Sequence, residues 1–121
     1  MKNDKANLAK QTLVVNRGSG AGGKLTVEMG IIKKAALTLR ALNHPLRKRL
    51  LELIQDNGNI IVTEMYNKLK IEQSVCSQHL GILRRAELVN TKRDGKKILY
   101  SINAKRIDEI YQLAKEMAQK H

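Results

Sequence analysis

The stretch from Glu72 to Ile102 constrains the fold of this chain most, because it predicts a helix followed directly by a two-stranded hairpin. At about 100° per residue, the polar and apolar side chains of residues 73–85 fall on opposite faces of one helix. The amide, hydroxyl and guanidinium groups of the polar face are those that hydrogen-bond base edges and phosphates in a major groove, so we expect a nucleic-acid-binding helix. The polar face comprises Gln73, Ser74, Ser77, Gln78, Arg84 and Arg85, and the apolar face comprises Val75, Cys76, His79, Leu80, Ile82 and Leu83.

Two β-prone runs follow this helix, Leu88 to Arg93 and Lys96 to Ile102, on either side of Asp94-Gly95. That dipeptide suits a two-residue type I′ turn, in which both central residues have positive φ. The segment 92–97 around the turn carries four cations and one anion. A helix with a hydrogen-bonding face beside a cationic hairpin predicts a winged helix-turn-helix, a mainly α fold with a small β-hairpin.

The charge of the chain supports this interpretation. The 121 residues carry a formal net charge of +12, which favours a polyanionic partner such as nucleic acid. Hydrophobic residues make up 42% of the chain but aromatic residues only 2%, so an aliphatic core is expected. A single cysteine excludes an internal disulfide and fits a reducing cytoplasm, and no apolar run reaches the roughly 18 residues of a membrane span.

The regions before the helix 73–85 divide into a tail and several helices. Residues 1–24 are basic and include a glycine run at 18–23, which predicts a flexible tail. We expect residues 25–121 to form a DNA-binding and dimerisation domain with a winged helix-turn-helix fold. Apolar spacing predicts a first helix from Val27 to Leu42, and Pro45 begins a second helix to Asp56. We expect this second helix to expose Arg47, Lys48 and Arg49, and Ile60 to Val62 to add a third strand to the hairpin.

The first helix and a last helix, Ala104 to Lys120, are apolar beyond what the core of so small a domain needs. We expect the two helices to form a homodimer interface, because a groove-reading helix gains a second half-site when the protein dimerises. The alternative is that both helices pack within one monomer. The expected interface residues are Ile31, Leu39, Ile107, Ile110, Tyr111, Ala114 and Met117.

Several segments of the chain together match the pattern of a known family. They are Ala41 to Leu51 (ALNHPLRKRLL), Ser74 to Arg84 (SVCSQHLGILR), Ala86 to Val89, and the Asp94-Gly95 hairpin that ends in Tyr100-Ser101. In these segments the chain resembles the ArsR/SmtB-type winged-helix repressors of bacteria. The resemblance implies a homodimer whose helix 73–85 enters the major groove, a wing that contacts the DNA backbone or minor groove, and release from the operator by a signal. It implies base-edge or nearby phosphate contacts by Gln73, Ser74, Ser77 and Gln78, and wing contacts by Lys92, Arg93, Lys96 and Lys97. The polar face of the helix adds Arg84 to the expected DNA-binding residues.

The chain departs from the metal-sensing members of that family. The stretch 59–64 contains no thiol, and the positions on the last helix that would hold ligands are Ala104, Arg106, Met117 and Lys120. Because these side chains are poor zinc ligands, we expect neither a metal site nor a cofactor.

We interpret His79 as a core histidine. Gly81 lies on the polar face, where it either lets DNA approach closely or only lowers the stability of the helix.

Competing functions remain open at this stage. The same fold could serve a nonspecific or architectural nucleic-acid binder, or a protein-interaction module. Cys76 could make the chain a one-cysteine redox sensor, although its place on the apolar face favours a core residue with a raised thiol pKa. An enzyme is not expected, because no paired acids, nucleophile–base set or phosphate-binding glycine loop is found in the sequence.

Overall fold

The computed structural model describes residues 11–18 and 22–120, which divide into two compact units between Leu37 and Thr38. The helices are α1 (Met29–Leu42), α2 (Pro45–Asn57), α3 (Val62–Leu69), α4 (Gln73–Arg85) and α5 (Ala104–Ala118). The strands are β1 (Thr12–Asn16), β2 (Lys24–Glu28), β3 (Ile60–Ile61), β4 (Val89–Asp94) and β5 (Lys97–Ile102).

The first unit contains an antiparallel hairpin of β1 and β2. Leu13 pairs with Val27 and Val15 with Leu25, so these apolar side chains share one face of the hairpin. Residues 12–16 therefore form a paired strand where a flexible tail was expected over residues 1–24, and in β2 the apolar Leu25 and Val27 alternate with polar residues. The structure also places Val27 in β2 rather than in the first helix, which begins at Met29. Residues 1–10 and 19–21, including part of the glycine run, lie outside the described residues.

In the second unit, α2 begins as the sequence predicts. His44 has an extended backbone, as a residue before proline prefers, and Pro45 occupies the first helical turn. Nδ1 of His44 accepts hydrogen bonds from the backbone N–H groups of Leu46 (3.1 Å) and Arg47 (3.5 Å), so its side chain caps the helix. The helix ends at Asn57 and is followed by Gly58, whose φ of 74° is accessible to glycine at little cost.

The core of this unit is aliphatic, as expected. The apolar faces of α2, α3 and α4 and the ends of the sheet strands bury their side chains together. The largest fully buried side chains are Leu50, Ile54, Ile60, Met65, Leu80, Leu83, Leu88 and Cys76.

The sheet has the strand order β3-β5-β4, which confirms the third strand. Asp94 pairs with Lys97, so the two-residue turn is Gly95-Lys96 and not the expected Asp94-Gly95. Gly95 has a φ of 64°, and Lys96 is not among the described residues with positive φ. Glycine at the first central position is the pattern of a type II′ turn. The winged helix-turn-helix is confirmed, but the turn of its hairpin lies one residue further along the chain than expected.

Candidate nucleic-acid interface

The polar face of α4 lies on the surface of the second unit. Six side chains of this face are exposed: Gln73, Ser74, Ser77, Gln78, Arg84 and Arg85. The amides of Gln73 and Gln78 and the hydroxyls of Ser74 and Ser77 have no hydrogen-bond partner within the described part of the chain, so they are available to an external ligand. The face carries neutral donors and acceptors over its first two turns and positive charge at its last turn.

The opposite face of α4 fixes the helix to the core through Cys76, Leu80 and Leu83. The C-terminal end is held by α5 and the residue before it. The side-chain amide of Asn103 donates to the carbonyl of Glu87 (2.9 Å), and Nε of Arg106 donates to the carbonyl of Ala86 (3.2 Å). These bonds satisfy backbone groups just beyond the helix end, and they hold α4 in place.

Arg47 forms a further attachment, which was not predicted from the sequence. We expected this side chain to be exposed with its neighbours Lys48 and Arg49, but it is only 5% exposed. Nε donates to the carbonyl of Ala41 (2.8 Å), Nη2 to the carbonyl of Arg40 (3.0 Å), and Nη1 lies 3.1 Å from Nδ1 of His79. One guanidinium therefore links the last turn of α1, the start of α2 and the middle of α4.

His79 is half-buried on the apolar face of α4, as expected of a core histidine. Its ring lies against that of His44, with the centroids 4.8 Å apart. Burial lowers the pKa of His79, and the nearby charges of His44 and Arg47 lower it further. Because arginine only donates hydrogen bonds, Nδ1 of His79 must accept, and the imidazole is neutral with its proton on Nε2.

The wing, residues Val89–Ile102, presents its cations to solvent. Lys92, Arg93, Lys96 and Lys97 are all exposed around the turn. Successive strand residues point to opposite faces, so Lys92 and Arg93 lie on different faces of the hairpin. Nε of Arg93 donates to the carbonyl of Gly95 (3.3 Å) across the turn. The wing therefore provides positive charge on both faces, with hydrogen-bond donors suited to phosphates.

Comparison with known proteins decides the family. The profile of the bacterial regulatory protein arsR family matches residues 44–91, from the cap of α2 into β4. The HTH-type transcriptional regulator Rv0081 of Mycobacterium tuberculosis is 36% identical over 87 residues, which are 72% of this chain and 76% of the relative. The transcriptional activator HlyU of Vibrio cholerae is 32% identical over 80 residues, 66% of this chain and 73% of the relative. The crystal structure of the transcriptional repressor PagR of Bacillus anthracis superposes with a TM-score of 0.56 at 31% identity, covering 71% of this chain and 99% of PagR.

The chain belongs to the ArsR family. It is a DNA-binding transcriptional regulator with the winged helix-turn-helix of that family.

Cys76 of this ArsR-family protein lies in the core. Its side chain is 0% exposed, and burial raises the pKa of its thiol. A buried, protonated thiol is a weak nucleophile, so its position favours packing over redox sensing.

Gly81 is half-buried at the centre of the polar face of α4. A Cβ placed there would meet Nη1 of Arg85 at 3.4 Å, an ordinary contact with the end of a flexible side chain. Packing within this chain therefore does not require glycine at this position.

The residues expected at a dimer interface differ in their exposure. Ile31, Tyr111 and Met117 are exposed, whereas Leu39, Ile107 and Ala114 are half-buried. Ile110 is 7% exposed and belongs to the core of its own chain, so its assignment to an exposed apolar surface was wrong. Leu113, which was not expected at the interface, is 64% exposed. A leucine one helical turn before Met117 was the available signal.

Two further observations concern other kinds of site. In the described ranges 11–18 and 22–120, no group of three or more His, Cys, Asp or Glu side chains could hold a metal ion. Within the same residues, no helix is long and apolar enough to span a membrane.

Proposed function

We propose that this protein is a cytoplasmic, homodimeric repressor in which α4 is the reading helix and the wing binds the DNA backbone. The observation that carries the proposal is the exposed polar face of α4, whose neutral hydrogen-bonding groups have no partner within the described residues. Gln and Ser side chains suit base-edge recognition, since amides pair with adenine and hydroxyls adapt to several bases. Phosphate contacts at the helix end and the wing would then fix the register.

The roles divide along the two elements. Gln73, Ser74, Ser77 and Gln78 contact base edges, and Arg84 contacts a flanking phosphate. Exposed cations supply the salt-dependent part of DNA affinity, because each neutralised phosphate releases counterions. In the wing these cations are Lys92, Arg93, Lys96 and Lys97.

Repression is the proposed direction of control. PagR, a similar protein named as a repressor, is 30% identical over 87 residues, whereas HlyU is named as an activator. Transcription from a promoter that contains the selected binding site, with and without the protein, tests the direction. A rise in transcript on adding the protein would make it an activator.

The test of DNA reading begins with selection of bound duplexes from a random pool. Affinity is then measured for the selected duplex and for its scrambled counterpart over a series of salt concentrations. Gln78→Ala and Ser77→Ala should each cost about 1–3 kcal/mol on the selected duplex and little on the scrambled one. Lys96→Ala and Lys97→Ala should weaken both duplexes and reduce the salt slope by about one unit per lost contact.

Lys105→Ala is the matched control, because it removes one exposed cation at the start of α5. It should change both affinities much less than the wing variants do. Equal losses on both duplexes for all four test variants would refute base reading by α4. Failure of the selection to enrich any sequence would instead indicate a nonspecific or architectural binder.

Dimerisation through α5 is the second part of the proposal. Leu113 and Met117 are each 64% exposed and lie one helical turn apart, so together they form an apolar surface that a second copy could cover. A homodimer would place two reading helices on two half-sites. Leu113→Glu combined with Met117→Glu should give a monomer in sedimentation and a large loss of affinity for the selected duplex.

Gln112→Glu is the matched control for this change. It adds charge to α5 at an exposed polar position, where it gives up only the exposed hydrogen bond that Gln112 donates to Asp108 (3.2 Å), and it should leave the dimer intact. Ile110 is unsuitable for this test, because a charge there would disrupt the core of the monomer. A dimer that survives the double substitution would place the interface elsewhere, with Ile31 on α1 as the next position to test.

A further inference from the structure

The buried contact between Arg47 and His79 lies behind the polar face of α4, and neither side chain reaches the surface that would face DNA. We propose that Arg47, acting through an unprotonated His79, is a positioning residue that sets the orientation of the reading helix and makes sequence discrimination depend on pH. This inference rests on the proposed function of α4 as the reading helix.

The geometry explains how Arg47 can position another helix. Its guanidinium is planar and presents its donors in a fixed fork. Nε and Nη2 are held by the carbonyls of Ala41 and Arg40, at 2.8 and 3.0 Å, in the last turn of α1. The carbonyl of Arg40 also accepts from the backbone N–H of Asn43 (3.1 Å), and the negative end of the helix dipole favours a cation at both carbonyls. The third nitrogen, Nη1, is thereby fixed in place and meets His79 at 3.1 Å.

His79 transmits this constraint to the reading face. It is adjacent to Gln78 in the chain, and Ser74 and Ser77 are within about one and a half turns of it. A rotation of α4 that moved the His79 ring would turn these side chains with respect to the groove. Base-edge hydrogen bonds tolerate only small errors in distance and angle, so such a rotation would affect the correct sequence more than it affects nonspecific phosphate contacts.

Protonation of His79 would break this contact. A protonated Nδ1 is a donor and faces another donor, and the two cations would be about 3 Å apart. The charged and titratable groups that act on His79 are His44 and Arg47, and among the described residues no carboxylate offsets them. The acidic and basic side chains of α3 and β4, which also pack on α4, are exposed, as are Lys48, Arg49, Glu52 and Asp56 of α2.

Acidification should therefore act in opposite directions on specific and nonspecific binding. More positive charge at low pH strengthens attraction to any duplex. The loosened helix weakens recognition of the selected duplex in particular. The ratio of the two affinities in the wild-type protein should stay constant from about pH 8 to the ordinary histidine pKa of about 6.5 and fall below it, by up to about tenfold, which corresponds to one hydrogen bond to a charged group.

The experiment measures this ratio across the pH range for the full chain, using the duplex selected at about pH 8 and its scrambled counterpart. His79→Asn places an amide oxygen near the position of Nδ1, so it can accept from Arg47 without titrating. It should retain most of the wild-type ratio at high pH and abolish the fall at low pH. Arg47→Lys keeps the charge but lacks the fork, and it should lower the ratio at every pH.

His44→Asn is the matched control, because it removes the other histidine of the pair and keeps a side chain that caps helices well. It should keep the fall, shifted towards higher pH, because the charge of His44 no longer lowers the pKa of His79. Circular dichroism at each pH identifies the range over which every variant stays folded.

Titration of the wild-type His79 ring by NMR needs no variant. The selected duplex should lower the pKa of His79, whereas the scrambled duplex should not.

The outcomes separate the two proposals. If neither Gln78→Ala nor Ser77→Ala relaxes sequence preference, the proposed base reading by α4 itself fails. If either variant does relax it, but His79→Asn keeps the wild-type pH dependence or His44→Asn removes it, only the positioning role is overturned. A pKa of His79 that does not respond to the selected duplex would also overturn it.

Discussion

Replacing Gly81 by alanine should stabilise this protein. Glycine in a helix interior costs about 1 kcal/mol relative to alanine because its backbone loses more conformational freedom on folding. The added methyl group would meet Nη1 of Arg85 at 3.4 Å, and the end of that exposed side chain can move away at little cost. We expect a gain of about 1 kcal/mol in the free energy of unfolding and a rise in Tm of about 4 °C.

Urea denaturation and calorimetry of the two proteins measure this change. Gly58→Ala is the control, since a Cβ there also meets no clash, but the backbone φ is 74°. Alanine is strained at such an angle, so Gly58→Ala should destabilise by about 1 kcal/mol or more. A lower Tm for Gly81→Ala would refute the reasoning. Titration with the selected duplex then distinguishes the two roles of Gly81: lost affinity in a more stable protein indicates close approach of DNA, and unchanged affinity indicates a glycine that only softens the helix.

Three further predictions concern the core. Ile54→Ala removes a fully buried side chain and should lower the free energy of unfolding by about 2–5 kcal/mol in urea titration, whereas a loss below about 1 kcal/mol would contradict this packing. Cys76→Val should change stability by less than about 1.5 kcal/mol and keep DNA affinity, and loss of DNA binding in peroxide that the valine variant resists would make the protein a redox sensor. Burial lowers the pKa of His79 in the folded state, so the unfolded state binds the proton more readily. Its contribution to stability should be complete above a pH of about 6.5 and decrease as the pH falls towards the lower folded pKa, and urea midpoints across this range should vary less in His79→Asn.

The sequence predicted α4 and the wing well because both have local signals. The alternation of polar and apolar residues over 73–85 specifies one helix face, and a glycine between two β-prone runs specifies a hairpin. The exact turn was wrong by one residue because register depends on pairing along the whole ladder, from Val89–Ile102 to Asp94–Lys97.

The environment of Arg47 could not be predicted in the same way. In the sequence it stands beside two other cations, and only the helical period, which places Arg47 on the same face as Leu50 and Ile54, separates it from them. Its burial depends on carbonyls at the end of the preceding helix and on His79, which is 32 residues away in the chain. The β1–β2 hairpin was missed for a different reason, since a glycine-rich segment between two short apolar runs is compatible with either a linker or a hairpin connection.

The positive charges of the second unit differ in what they can contribute to DNA binding. The exposed cations of the wing and the end of α4 form no ion pair with a carboxylate among the described residues, so their field is available to phosphates. Arg47 carries the same charge, but its donors are used by Ala41, Arg40 and His79, and it is almost inaccessible to solvent. Because a charge that releases no counterion does not affect the salt slope, the slope should reflect the wing and Arg84 but not Arg47. Affinity for any DNA and discrimination between sequences would then depend on different residues, and substitutions could alter one without the other.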